Sequence, residues 1–150
     1  MSHSAEWAAA DEQAQARRRA ALLVVDVPGA LRNPINGSWG HWRTHARAEA
    51  SWRSRTAQRA RVAVLLRPGP RLEPQTPKAL TFTVYTANAW DDDEGLNAAC
   101  KPVRDGLIDG GVIHGDGPAH GHTFAYRQTM ARGRRGVEIL VEARGAGRAA

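Results

Sequence analysis

Apolar positions along this chain recur at two different periods, and the changes of period mark out its elements. Residues 4–19 are alanine-rich, with Glu6, Asp11 and Glu12 early and Arg17, Arg18 and Arg19 late. Ser4 is a capping residue type, and acid first with base last complements the helix dipole, so a helix is expected here. Ala21 to Val27 is a short, β-branched apolar run closed by Pro28, the pattern of a strand. Residues 29–41 carry Gly29, Asn33-Pro34, Asn36-Gly37 and Gly40, which is loop chemistry. From Trp42 to about Leu66, the residues Trp42, Ala46, Ala50, Ala57, Ala60 and Val64 recur at steps of three, four and seven, predicting one apolar helix face.

Residues 67–77 are too rich in proline for a helix and form a connector. In residues 79–88, Leu80, Phe82 and Val84 alternate with Thr81, Thr83 and Tyr85, which predicts a half-buried strand. Residues 91–109 start acidic and continue with Leu96, Cys100, Val103 and Leu107 on a helical stripe that Gly110-Gly111 stops. Pro102 interrupts that stripe, so the helix either kinks or restarts with Pro102 at its first position. Strands are expected near residues 123–130 and 137–144, joined by the glycine-containing turn 131–136. The order predicts an α+β fold, a single compact domain over residues 1–150 with a mixed β-sheet packed by helices. Its core spans about residues 22–144, with an extra N-terminal helix and a frayed tail at 145–150.

Composition narrows the class. A chain of 150 residues suits one domain with a sizeable core. The lone Cys100 excludes an intramolecular disulfide and a cysteine-rich zinc site, and it reads as a small buried hydrophobe. Arg17 to Arg19 precede an apolar run that ends at Asp26, too short and too late for a secretory signal. No stretch reaches the roughly 18 apolar residues of a membrane span, so no membrane partner is expected and the location expected is cytoplasmic. The net charge of +6 and a pI near 10.6 favour polyanionic partners, because each neutralised phosphate releases a condensed counterion.

Those charges are ordered. Arg43, Arg47, Arg55 and Arg59 lie at four-residue steps, with Ser51 filling the gap, and would form a band suited to a DNA backbone or, equally, a solvated face. Trp39 and Trp42 flank His41 at the loop–helix junction, where they would stack on a base or pack in the core. His41, His45, His114, His120 and His122 lack a cysteine pair or an acidic third ligand at zinc spacing. The P-loop pattern is absent, and no small-molecule cofactor is expected.

Asp91, Asp92, Asp93 and Glu94 are consecutive carboxylates between a predicted strand and a predicted helix. Such crowding is costly unless solvated or neutralised by a cation. Asp116, in a glycine-rich return after the helix, would join them, and hard oxygen ligands suit Mg²⁺, with Mn²⁺ as a substitute. By spacing alone the run also suits an acidic helix start. An EF-hand is excluded, because the sixth-position glycine is missing and Pro102 stands where the bidentate Glu belongs.

The stretch Asp92-Asp-Glu-Gly-Leu96, then Lys101-Pro-Val-Arg-Asp105-Gly-Leu107, then Gly111-Val-Ile-His-Gly-Asp116 resembles the RusA-type Holliday-junction resolvases. That family carries D-x-D-N-L, then K-x-x-x-D-x-L, then a glycine and a D-D pair. The resemblance covers roughly residues 22–144. It implies an Mg²⁺-dependent endonuclease, a phosphodiester hydrolase acting on branched DNA in recombination and repair by paired nicks, and a homodimer. On that match Asp92, Glu94 and Asp116 are the metal ligands, and Lys101 is the basic catalytic residue. An alternative register uses Asp91 and Asp93. Glu94 replaces an Asp of the family pattern, Gly95 an Asn, and Gly115 the first Asp of the pair, and about three residues are inserted before Lys101. These departures leave a second reading, a RusA-like DNA-binding module with impaired catalysis.

Overall fold

The computed structural model describes residues 3–32, 42–90 and 93–145. Its elements are α1 (His3–Ala20), β1 (Leu23–Pro28), α2 (Trp42–Leu66), β2 (Lys78–Thr86), α3 (Asp93–Ala99), α4 (Lys101–Asp109), a 3₁₀ turn (Pro118–His120), β3 (Thr123–Met130) and β4 (Gly136–Ala143). The expected α+β class and mixed sheet are both present. The strands lie in the order β1-β4-β2-β3, with β2 and β3 parallel and the other pairs antiparallel. No helix among the described residues is long and apolar enough to cross a membrane. Part of the predicted loop, residues 33–41 with Trp39 and His41, lies outside the described residues, as do the side chain of Trp42 and tail residues 146–150.

One face of the sheet carries the core. Leu23, Val25 and Val27 of β1, Leu80, Phe82 and Val84 of β2 and Val137, Ile139 and Val141 of β4 point the same way and are buried beneath α2, α3 and α4. β2 is a central strand, so it is more buried than its alternation predicts: Thr81, on the other face, is also only 9% exposed. α1 lies over the opposite face without burying a single residue. Its attachment is ionic, through Arg17 to Glu142 at 2.6 Å and Arg18 to Glu138 at 2.5 Å.

Two local expectations are corrected. The predicted apolar face of α2 holds in its second half, where Ala57 and Ala60 are buried and Val64 is half-buried, but Ala46 and Ala50 are exposed, and Trp52 and Thr56 join the buried face instead. Alanine offers too little area to fix a helix's rotation, and here the indole of Trp52 and the glycines of α4 do so. A Cβ on Gly106 would stand 2.5 Å from Thr56 Cβ, and one on Gly110 would stand 2.6 Å from Ala60 Cβ. Those glycines let the two helices approach closely. The second correction concerns Pro102. The helix does restart, but Cys100 is its cap (φ −82°, ψ −3°) and Pro102 falls at the second helical position, where its missing N–H costs no intrahelical bond.

Candidate functional site

β2 delivers the chain to the acidic run, and an amide side chain on β3 holds the delivery segment in place. Gln128 donates from Nε2 to Thr86 Oγ1 at 2.8 Å and to the Asn88 carbonyl at 2.9 Å. Its Oε1 accepts from the Trp90 N–H at 3.1 Å. Asp91 and Asp92 lie outside the described residues. Asp93 and Glu94 open α3, with their side chains outside the described set, and Leu96 is buried in the core as its stripe position predicts.

Asp116 returns toward α3 through a guanidinium that the sequence reading passed over. Arg104 of α4, its side chain only 11% exposed, donates from Nε to Asp116 Oδ2 at 3.3 Å. Its Nη1 reaches Asn97 Oδ1 at 2.8 Å, the Asn97 carbonyl at 3.1 Å and Tyr126 Oη at 2.6 Å. Asn97 stands one helical turn after Asp93, so a single guanidinium links the returning loop to the helix that the acidic run begins. Tyr126 stacks on Phe82 with ring centroids 5.2 Å apart, and burial raises its phenol pKa, so it stays protonated at neutral pH. The only sequence cue to Arg104 is its place inside Lys101-Pro-Val-Arg-Asp105, where the family pattern puts no constraint.

Histidines support the loop that carries Asp116. His122 is buried, accepts the Lys78 backbone N–H on Nδ1 at 3.1 Å and sets Nε2 3.1 Å from His114 Nδ1. Burial, reinforced by Lys78, His114 and His120, pushes its pKa down to about 4. His114 also meets the edge of the His120 ring, with centroids 4.2 Å apart. His120 fills the space over Gly115, where a Cβ would stand 2.3 Å from its Nε2. Gly115, which has no Cβ to meet the ring, is therefore the residue that admits this imidazole.

Lys101 is 60% exposed and sits 3.4 Å from Asp105 Oδ1, an i,i+4 surface pair. The arginine band of α2 is divided. Arg47 is exposed on the half of α2 that shares an apolar cavity with Arg32, Ala98, Ala99 and Pro102, beside the end of α3. Arg43 is exposed near the start of α2. Arg55 is diverted into structure, stacking 4.3 Å over Trp52 and donating to the Pro28 carbonyl at 2.8 Å. Arg59 faces β1 instead. A further basic group went unnoticed in the sequence: the β3–β4 turn carries Arg132, Arg134 and Arg135 beside the end of β2, where the Ala131 N–H donates to the Thr86 carbonyl at 3.2 Å. Of these, Arg134 stacks on Tyr85 at 3.7 Å and lies 3.5 Å from both Asp26 and Glu138.

Among the described residues no group of three or more His, Cys, Asp or Glu side chains is arranged to hold a metal ion. The ligand set expected for Mg²⁺ draws on the 91–94 run, so of its members only the Asp116 carboxylate is described. That carboxylate is 30% exposed and engages Arg104 through Oδ2, leaving Oδ1 without a partner among the described residues, and hard oxygen is the donor chemistry Mg²⁺ takes. No protein-family model, curated protein or solved structure matches this chain.

Proposed function

We propose that the chain is an Mg²⁺-dependent, structure-specific DNA endonuclease that cuts Holliday junctions or related branched DNA by paired nicks as a homodimer. The observation that carries this reading is the Arg104 bridge, which brings Asp116 to the helix that begins at Asp93. Sequence resemblance to the RusA-type resolvases supplies the reaction class. Mg²⁺, when bound, would polarise the scissile phosphate and lower the pKa of a water nucleophile. Asp92, Glu94 and Asp116 would hold it, with Asp91 and Asp93 as the alternative pair. Gln128 holds Asn88 and Trp90, the segment leading into the acidic run, and Arg104 holds Asp116, while Arg43, Arg47 and Arg132 would serve as cations for the flanking phosphates. Lys101 would act on the phosphate only after leaving Asp105.

One observation favours the second reading, a DNA-binding module with impaired catalysis: Asp116 already has a cationic partner in Arg104, which competes with a metal for its charge. A nicking assay on a synthetic four-way junction separates the two readings. Endonuclease action predicts symmetric nicks with Mn²⁺, weaker nicking with Mg²⁺ because Glu94 is one methylene longer than Asp, and none with chelator. Binding without nicks in either metal leaves the module.

A further inference from the structure

β1 forms one edge of the sheet, and the side that no described strand pairs carries a donor–acceptor pattern symmetric about Val25. The Gly29 N–H donates to the Arg135 carbonyl, in register with Val27↔Val137, Val25↔Ile139 and Leu23↔Val141, so these residues turn their backbone groups toward β4. Alternation along the ladder then turns the N–H and C=O of Val24 and Asp26 outward. The positions flanking them are closed. The Leu22 carbonyl accepts from Arg67 Nε at 2.7 Å, the Pro28 carbonyl accepts from Arg55 Nη1 at 2.8 Å, and Pro28 has no N–H. Val24 and Asp26 lie one residue either side of Val25, and Leu22 and Pro28 lie three either side.

An edge with this layout is complementary to itself. In an antiparallel pair centred on Val25, Val24 faces Asp26 of a second copy, and the two such pairs exchange about four backbone hydrogen bonds. Leu22 faces Pro28, closed group against closed group, and Asp26 faces an apolar residue, not a like charge. α2 adds apolar area beside the same edge. The groove between them is lined by Val24, Asp26, Gln58, Arg59, Val62 and Ala63. Val62, Leu65 and Leu66 continue from it along α2 and stand 55%, 83% and 75% exposed, large side chains with no cover among the described residues.

We propose that this edge is occupied by a second copy of the chain, β1 pairing antiparallel with its counterpart across a two-fold axis at Val25 and the two α2 helices meeting through Val62, Leu65 and Leu66. Two four-stranded sheets then become one continuous sheet. The arginine caps and Pro28 limit the pairing to this short register, so the contact is isologous and closes on itself. It rests on the strand edge and the helix stripe and holds whether or not the protein cuts DNA.

The test uses the full chain without DNA. Sedimentation at tens of micromolar should give a dimer. A spin label on Asp26→Cys should show strong dipolar broadening, because the two labelled positions become diagonal neighbours with Cα atoms about 7–8 Å apart. The native Cys100 is buried, with its thiol pKa raised to about 12, and stays unlabelled. A label on Arg132→Cys, far from the axis along the strand direction, should not broaden. Val62→Glu with Leu66→Glu, both at exposed positions, should keep the melting temperature of the monomer fold and raise the dimer dissociation constant at least about tenfold. A monomer at every concentration overturns the proposal. So does a dimer whose Asp26 labels stay unbroadened, or one that the paired glutamates leave intact.

Discussion

Replacing Arg104 by Gln should be among the most damaging single changes outside the apolar core, and the structure bounds the cost. The guanidinium is 11% exposed and serves Asp116, Asn97 and Tyr126 together. A hydrogen bond to a charged group is worth about 1.5–3 kcal/mol and a neutral one about 1 kcal/mol. Breaking a fully buried ion pair costs about 3–5 kcal/mol, but Asp116 is 30% exposed and its 3.3 Å contact is long, so water recovers part of the loss. The expected destabilisation is therefore about 2–3 kcal/mol, a fall in Tm of roughly 5–10 °C for a domain of this size. Arg104→Lys should recover only a minority of it, because an ammonium cannot span Asp116, Asn97 and Tyr126 with one planar fork. Urea unfolding of Arg104→Gln, Asp116→Asn and the double variant gives the coupling between the pair, expected at about 1 kcal/mol. A loss below about 0.5 kcal/mol for Arg104→Gln, or additive single changes, would refute the bridge as the link between loop and helix.

Three further outcomes follow from the same geometry. Unfolded His122 takes its proton near pH 6.5 whereas folded His122 stays neutral to about 4, so stability should be full above pH 6.5 and decline toward pH 4 by up to roughly 3 kcal/mol. His122→Gln, which can still accept the Lys78 N–H, should flatten that decline, and an unchanged pH profile would contradict the burial assignment. Arg47→Ala should lower the slope of log K against log salt for DNA by about one unit, whereas Arg55→Ala should lower thermal stability and leave the slope alone; equal effects on the slope would show that the band is undivided. Because α1 is attached by surface ion pairs, deleting residues 1–20 should change global stability by no more than about 1–2 kcal/mol, and proteolysis of α1 in the intact chain should accelerate with salt. Cooperative loss of the whole fold on that deletion would count against it.

Elements set by backbone chemistry were legible in the sequence. The extent of α2, an interruption of the helix at Pro102, the glycine stop after α4 and the alternation in β2 each follow from a local rule. What escaped depends on partners distant in the chain. That Thr56 joins Ala57 and Ala60 on the buried face of α2 depends on the close approach of Gly106 and Gly110, some fifty residues away. Arg55 looks like its neighbours in the band until Pro28 and Trp52 are placed beside it. Arg104 and Gln128 are missed for the same reason, because each acts through side-chain bonds to another element. Asp116 was singled out, but its guanidinium partner was not.

Whether Asp116 belongs to a metal-dependent nuclease centre is decided by comparing wild type with Asp116→Asn on one four-way junction, scoring binding and cleavage in the same samples. Asp116→Asn should bind the junction as tightly as wild type or tighter, since a negative charge near phosphate is gone, and should make no nicks under metal conditions in which wild type cuts. Equal nicking by both proteins would contradict it, as would equal binding with no nicking by either in Mg²⁺ or Mn²⁺.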